Sequence, residues 1–365
     1  MQRTEPIGLG DHAAGAFNRG MSLDSYITLG RSGLRVSPFT LGTMTFGEDW
    51  GWGSSPEEST KILASYVERG GNSIDTANMY TAGHSEKIIG DFLANRPSLR
   101  DRVVLGTKFF CNLHVGDPNG GGPGRKAIVH QLEDSLRRLR TDHVDIYWLH
   151  NFDPSTPVEE TLRALDDQVR AGKVRYVGFS DIPAWATAEA ATLARWYGWS
   201  PIIALQLCYS LLERTSEGEL IPMAQAMGMG VLPWSPLAGG LLSGKHSGDR
   251  GQAPNTAEQA VIDAVGAVAA EIGVPAAQVA LAWLRGRPGV SSVVIGARRV
   301  DQFETNLGAL DVTLSDAQRA SLDEVSLPKL NFPADNNRQL APMLQFAGAT
   351  VDGRPSAVFP SLVTR

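Results

Sequence analysis

The run Val144-Asp145-Ile146-Tyr147-Trp148-Leu149-His150, with the segment up to Val174-Arg175-Tyr176-Val177-Gly178, spans one complete structural unit. Residues 144 to 149 are mostly apolar on successive positions. A strand buried on both faces requires that, whereas a half-exposed strand would alternate. Thr156, Pro157 and Glu159 then mark a helix start with Pro at the first helical position. Val158, Leu162, Leu165 and Val169 follow at helical spacing, so this helix has one apolar face. A second buried run opens at Val174. Strand, helix, strand in this order is a parallel crossover unit.

The same rhythm runs outward in both directions. Buried runs occur at Phe39 to Gly42, Ser73 to Asp75, Val103 to Thr107, Val144 to Leu149, Val174 to Gly178, Ile202 to Leu205, Val231 to Trp234 and Val293 to Ile295. Between them Ser55, Pro56 and Glu58 make a second helix start, and Ile128, Leu132, Leu136 and Leu139 a second apolar face. Eight such units imply an α/β protein of the (β/α)8 TIM-barrel class. An open doubly wound sheet would need a Gly-rich fingerprint after the first strand, and Gly42-Thr43-Met44-Thr45-Phe46-Gly47 is not one.

Around the barrel, residues 1 to 23 lack periodicity and read as a poorly ordered extension. Tyr26 to Val36, broken at Gly30 and Gly33, suggests an N-terminal β-hairpin. The barrel domain is expected over 24 to 327, with Leu314 to Val325 as an added helix. Residues 328 to 365 form a tail with five prolines. The tail is expected to lie across the barrel near its mouth, with Phe332, Phe346 and Phe359 packed.

A net charge of −6 offers no basic footprint for nucleic acid or an anionic membrane surface. Cys111 and Cys208 are far apart and in no metal or redox spacing, so neither a disulfide framework nor a zinc site is indicated, and no metal is expected. Met1 to Arg19 lacks an apolar core, and no run of 18 apolar residues occurs. A cytoplasmic protein acting on a small, diffusible partner is expected.

Barrel chemistry gathers at the carboxyl ends of the strands. There the second run ends in Asp75, the third leads to Lys108 and the fourth to His150, with Tyr80 in the loop after Asp75. Taken singly, each has a plainer reading: Asp75 as a helix cap, Tyr80 as packing, Lys108 as a structural ion pair, His150 as a satisfied core histidine. Together they put an acid, an ammonium, a phenol and an imidazole on one rim. A free phenol has a pKa of about 10, and an adjacent ammonium is expected to make its proton easier to lose. Asp75 would hold that ammonium, and a neutral His150 would orient a substrate oxygen. Such a set protonates a carbonyl oxygen as hydride reaches the carbon.

From Tyr26 to Val325 the chain resembles the aldo-keto reductases. The residues that carry the likeness are Gly71-Asn72-Ser73-Ile74-Asp75-Thr76-Ala77-Asn78-Met79-Tyr80, Leu105-Gly106-Thr107-Lys108, Asp145-Ile146-Tyr147-Trp148-Leu149-His150, Gly178-Phe179-Ser180-Asp181 and Ile295-Gly296-Ala297-Arg298-Arg299. The resemblance implies reversible, NADP-dependent reduction of an aldehyde or ketone, with Asp75, Tyr80, Lys108 and His150 as the catalytic tetrad and Tyr80 as general acid. It implies that Ser180, Asp181 and Gln206 hold the nicotinamide carboxamide and that Tyr209 stacks on the ring. It also places Gly42, Thr43, Met44, Ser235, Leu237, Gly239, Lys245, Gly296, Arg298, Gln302 and Asn306 along the cofactor. The family usually has Asn where this chain has Asp181, and a carboxylate cannot donate as an amide does. Thr305 stands where a Glu often contacts adenine. Arg298 and Arg299 suit the 2′-phosphate of NADP, so NADPH is expected over NADH.

Trp50, Trp52, Phe109 and Phe110, with the loop from Cys111 to Arg125, are expected around the pocket and would favour a substrate with an apolar or aromatic body. Gly239 to Lys245 mimics a nucleotide-triphosphate loop, but His246 stands where Ser or Thr would bind magnesium. Two rival functions remain. Gly33-Leu34-Arg35-Val36-Ser37 and Gly42 to Gly47 are similar to potassium-channel β-subunits, which implies a regulatory NADPH-binding module with slow turnover. Lys108 could instead form a Schiff base in an aldolase-like barrel.

Overall fold

The computed structural model describes residues 21–244 and 253–363. Eight strands form one sheet: β1 (Phe39–Gly42), β2 (Ser73–Asp75), β3 (Val104–Phe109), β4 (Val144–Leu149), β5 (Val174–Ser180), β6 (Ile202–Cys208), β7 (Gly230–Trp234) and β8 (Val293–Ile295). Neighbours from β1 to β7 are parallel, and β8 pairs parallel with β1 through Val293 opposite Phe39 and Ile295 opposite Leu41. The β7–β8 seam is narrower, bridged at Val231 and Val290. The expected (β/α)8 barrel is therefore present with all eight runs in place. Strands β3, β5 and β6 extend past the apolar runs to Phe109, Ser180 and Cys208. These extensions contain the polar rim residues Lys108, Ser180 and Gln206, which an apolar pattern does not mark.

The core has two compartments. One lies between the strands and the surrounding helices and contains residues such as Ile62, Leu132, Leu165 and Leu281. The other is the barrel lumen, filled by Val104, Ile146, Trp148, Ile203, Leu232 and Val294, and closed below by Leu29 and Val36 of the N-terminal hairpin. That hairpin pairs Ile27 with Val36 and Thr28 with Arg35. Gly30, at φ +55°, lies so close that an added Cβ would sit 2.2 Å from the Ile203 carbonyl oxygen. Higher up, the Trp148 ring fills the lumen beside Gly178, where an added Cβ would stand 2.3 Å from it.

Helix α1 (Pro56–Glu68) starts as expected: Ser55 Oγ accepts from the Glu58 amide at 3.3 Å, with Pro56 at the first turn. Glu58 does not complete the reciprocal box; its carboxylate accepts from the Val300 amide at 2.9 Å. Helices α2 (His84–Ala94) and α3 (Arg125–Leu139) follow. The start expected from Thr156 and Pro157 is different. Helix α4 (Val158–Arg170) has Pro157 one position earlier, as its cap, and the Thr156 hydroxyl donates to Asp153 at 2.6 Å. Next come α5 (Ala184–Tyr197), α6 (Leu220–Met227), α7 (Thr256–Ile272), α8 (Ala276–Arg285), α9 (Val300–Leu307) and the added α10 (Asp316–Val325).

Residues 1–20 lie outside the described residues. The remainder of the expected extension packs on the barrel: Leu23 is buried, and the Met21 amide donates to the Leu310 carbonyl at 3.4 Å. In the tail, Leu330 is buried near Gly218, which follows β6, and α11 (Ala334–Phe346) comes next. Phe346 and Phe359 are half-buried, but Phe332 is 82% exposed and does not pack. Among the described residues, no single helix is long and apolar enough to cross a membrane.

Candidate active site

The carboxyl ends of β2, β3 and β4 carry Asp75, Lys108 and His150. Past Asp75 the chain stays on the edge of β3, with the Thr76 amide donating to Gly106 O at 2.9 Å and the Asn78 amide to Lys108 O at 3.1 Å. A tight turn then opens at Tyr80, in which Thr81 (φ 47°) and Ala82 (φ 54°) are both left-handed. Side chains rarely tolerate that conformation, and it persists only where surroundings impose it. Here the Thr81 hydroxyl anchors the bend by donating to Phe46 O at 2.8 Å. The bend returns the Tyr80 ring over Lys108, whose Nζ is 4.8 Å from the ring centroid.

Lys108 Nζ uses its three donors on Asp75 Oδ2 in a close ion pair, on Thr76 O at 3.0 Å and on the Tyr80 hydroxyl at 3.0 Å. Both charged partners are buried, and Gln206 Nε2 donates to the other Asp75 oxygen at 2.9 Å. Burial works against the ammonium, but Asp75 and the Tyr80 oxygen outweigh it and raise the Lys108 pKa. The expected easing of the Tyr80 proton is not found. Burial raises this phenol above its ordinary value, and Lys108 offsets only part of that rise. His150 is half-buried, with its ring edge-on to Tyr80 at 6.1 Å between centroids. Burial, then the Lys108 charge, push its pKa down to about 3, so its imidazole is neutral near pH 7.

Strand alternation decides which neighbours join this group. Lys108 points inward, so Thr107 and Phe109 point out: Thr107 donates to Glu86 at 2.6 Å, and Phe109 is fully buried against Tyr147 with centroids 4.4 Å apart. Phe109 therefore does not line the pocket. Phe110 does, together with Met79, Cys111, His150, Asn151 and Asp181, around a cavity of about 640 Å³ also edged by Asn112, Pro118 and Gly121. Trp50 and Trp52 lie elsewhere. Their centroids are 5.6 Å apart, and Trp52 packs beneath the Arg298 guanidinium at 5.0 Å. A second cavity of about 470 Å³, between Lys87, Asp91, Arg137 and Arg140, is on the outer helical layer and contains no strand-end residue.

The opposite half of the rim combines buried side chains with strained backbone. Ser180 and Gln206 are buried at the ends of β5 and β6. Asp181 has φ 54°, and its Oδ1 accepts from Trp234 Nε1 at 3.1 Å. Tyr209 is not a stacking platform. It is 1% exposed, its hydroxyl donates to Glu217 at 2.6 Å and accepts from Arg287 at 3.0 Å, and its ring packs edge-on to Trp283. The aromatic at this rim is Trp234, half-buried at the end of β7. Its position as the last residue of the seventh run, just before Ser235-Pro236, was the available signal.

After Trp234 the chain turns through Ser235 (φ 53°), Leu237, Ala238 (φ 48°), Gly239 (φ 64°) and Gly240 (φ 97°). Lys245 lies outside the described residues. Thr43 is fully buried, with its hydroxyl donating to Asp75 O at 3.0 Å, so its side chain braces β2 and is closed to a cofactor. Gly42 packs against Val294 of β8, Gly296 lies beside Gly42, and Met44 is exposed on the rim. On α9, Gln302 accepts from the Arg298 amide at 3.2 Å and Asn306 is buried. Arg299 is paired with Asp301 through two contacts of 2.8 and 3.0 Å.

The sequence model of the Aldo/keto reductase family matches residues 38–327, which covers every strand and rim residue just described. The chain belongs to the aldo-keto reductase family. The match omits the hairpin that closes the barrel floor, although the likeness by motif begins at Tyr26. Among similar aldo-keto reductases and oxidoreductases is the uncharacterized oxidoreductase YrpG of Bacillus subtilis (strain 168), 38% identical over 310 residues, 79% of this chain and 92% of that protein. Norsolorinic acid reductase stcV of Emericella nidulans is 36% identical over 315 residues, covering 83% of this chain and 81% of that protein. Versiconal hemiacetal acetate reductase of Aspergillus parasiticus is 32% identical over 342 residues, 85% of this chain and 99% of that protein.

Proposed function

We propose that this aldo-keto reductase is an NADP-dependent carbonyl reductase in which Tyr80 is the proton donor. The observation that carries the reading is the three-way contact of Asp75, Lys108 and Tyr80 at one rim, with the Lys108 amine 3.0 Å from the phenol. A reduced nicotinamide, when held at the opposite rim, would supply the hydride that the carbonyl carbon takes. The chain's own residues manage the oxygen. Tyr80 donates its proton as negative charge develops there, and Lys108 stabilises the phenolate left behind. Asp75 keeps the ammonium charged and fixed, while neutral His150 donates a hydrogen bond that orients the substrate oxygen. Burial raises the Tyr80 pKa and so works against proton release, and the Lys108 charge is what offsets part of that rise.

The opposite rim fits a nicotinamide dinucleotide. Left-handed, non-glycine residues at Asp181, Ser235 and Ala238 concentrate backbone strain at the ends of β5 and β7, as ligand clamps do. Ser180, Asp181 and Gln206 face the carboxamide in this reading, Trp234 replaces Tyr209 as the aromatic beside it, and the 235–240 turn faces the pyrophosphate. Arg298, paired over Trp52 at the start of α9, takes the 2′-phosphate and gives the preference for NADPH. The substrate is an aldehyde or ketone with an apolar or aromatic body, lying against Met79 and Phe110. The names of two relatives, reductases of norsolorinic acid and of versiconal hemiacetal acetate, agree with a carbonyl compound. A cytoplasmic setting is part of this proposal and accords with two unpaired cysteines.

A Schiff-base role for Lys108 is disfavoured, since all three ammonium donors are used and its pKa is raised. Tyr80→Phe tests the reading directly. NADPH consumption against a panel of aromatic and aliphatic carbonyls is expected to fall about 10²- to 10⁴-fold, with NADPH affinity by fluorescence titration nearly unchanged. Unchanged turnover would remove Tyr80 from the mechanism, and a wild-type protein that binds neither NADPH nor NADH would end the cofactor reading.

A further inference from the structure

The loop after β3 is tied at both ends to one residue of α3. Gln131 Oε1 accepts from the Phe110 amide at 2.9 Å, its Nε2 donates to Gly122 O at 3.3 Å, and the Gly122 amide closes the loop on Phe110 O at 2.7 Å. The far part of the loop reaches α3 three residues further on, at Asp134. His114 Nε2 lies 3.2 Å from Asp134 Oδ2, and His130 Nδ1 lies 3.8 Å from the same oxygen. The two imidazoles approach edge-to-face, with centroids 4.9 Å apart.

We propose that His114, His130 and Asp134 form a divalent transition-metal site, of the Zn²⁺ type, that fastens the 110–122 loop to α3. The ligand types are two imidazoles and a carboxylate, a set suited to zinc and its neighbours with a position left for water. His130 and Asp134 are four residues apart on one helix face, and the loop supplies the third ligand across sequence. One ligand atom from each lies within 4.8 Å of the others. At zinc bond lengths of about 2.0–2.2 Å, tetrahedral ligand atoms stand about 3.3 Å apart, so small rotations of two side chains suffice. Those rotations are available, because the His114 and His130 side chains are 44% and 49% exposed while Asp134 is held at 12%. Arg137 contacts the other carboxylate oxygen and is 72% exposed, which leaves Oδ2 to the metal.

The spacing of the two cysteines does not signal such a site, and the histidines that form it are sixteen residues apart in sequence. The expectation of no metal rested on the cysteine spacing alone. Asn112, Pro118 and Gly121 of the same loop edge the 640 Å³ cavity, so metal at His114 immobilises one wall of the proposed substrate pocket. Binding itself is independent of the proposed reaction; only an effect on substrate entry rests on it.

Isothermal titration of the full chain, freed of any affinity tag and treated with chelator, with ZnCl₂ tests the site. One Zn²⁺ per chain is expected, weakened at least about tenfold in His114→Ala and in His130→Ala, since loss of even an outer partner of a ligand costs about 10- to 100-fold. Cys111→Ser controls for the nearby thiol and is expected to bind as the wild type does. Both histidines are exposed, so melting in chelator should match wild type. Val115 at the loop tip is fully exposed, and Zn²⁺ should slow proteolysis there in wild type but not in His130→Ala. No binding, binding indifferent to both histidine substitutions, or binding lost in Cys111→Ser overturns the site. Binding without protection of the loop overturns the fastening.

Discussion

The two halves of the barrel rim are built by different means. Over β2 to β4, side chains do the work: Asp75 and Lys108 are buried, every Lys108 donor is paired, and Thr43, Thr76 and Gln206 brace the pair. Over β5 to β8 the rim is looser: left-handed turns at Asp181, Ser235 and Ala238, of the kind also found at Thr81 and Ala82, sit beside partly exposed residues such as Trp234. The contrast fits the tasks proposed for the two halves. Moving a proton needs charges held in low dielectric, whereas gripping a long dinucleotide needs amides and faces presented along a surface.

The sharpest break of this contrast is Asp75→Asn. It leaves the fully buried Lys108 ammonium with its main partner neutral, and removing one member of a buried ion pair costs about 3–5 kcal/mol. Urea denaturation should show that loss, with a lowered Lys108 pKa. A variant as stable as wild type would mean that the pair is solvated and that the two halves do not differ as described.

This division also explains what was legible in the sequence. The eight strands were readable because each is a run of buried residues, and Asp75, Lys108 and His150 of the proposed tetrad because they stand at or just past the ends of those runs, with Tyr80 in the loop beyond Asp75. Parity was not readable there. Phe109 follows Lys108 and looks like pocket lining, yet one step along a strand reverses the face, and it packs on Tyr147. Tyr209 and Thr43 were misplaced because neighbours distant in sequence, Glu217 and Arg287 for one and Asp75 for the other, occupy their polar atoms. Trp52 could not be assigned to Arg298 without knowing that the β1 loop meets the start of α9. The half-made capping box at Ser55 has the same origin, since Glu58 is taken by Val300.

On the binding half, Arg298→Ala is expected to weaken NADPH roughly 10- to 100-fold, the worth of a charge-assisted phosphate contact, and to leave NADH nearly unaffected. Equal losses for both nucleotides, read by fluorescence titration, would move the 2′-phosphate elsewhere. Arg299, already paired with Asp301, should give a smaller change when replaced.

His150 sharpens the proton-handling half through pH. Its folded value is about 3 against an ordinary 6.5, so the native state binds fewer protons than the unfolded chain between those limits. Its contribution is therefore fully present above about pH 6.5 and is lost as pH falls towards 3. At pH 5 the cost is about 1–2 kcal/mol, which His150→Gln should remove. Denaturation midpoints of both proteins at pH 7 and pH 5 measure the difference. An equal acid loss in the two would show that His150 titrates normally.

The smallest effect discriminates between two aromatics. Trp234→Phe keeps a ring at the end of β7 but removes the indole N–H that Asp181 accepts at 3.1 Å, a neutral-to-charged contact at a partly exposed site. A loss of about 0.5–1.5 kcal/mol in cofactor binding is expected, with little change in stability. Tyr209→Phe should do the reverse. Its hydroxyl bridges Glu217 and Arg287 inside the protein, so its removal leaves cofactor affinity intact and lowers the denaturation midpoint. Nucleotide titration and urea denaturation of both variants separate the cases. If Tyr209→Phe were the one to lose cofactor, its ring would have to leave the core on binding, and the binding half of the rim would depend on a rearrangement that its packing against Trp283 opposes.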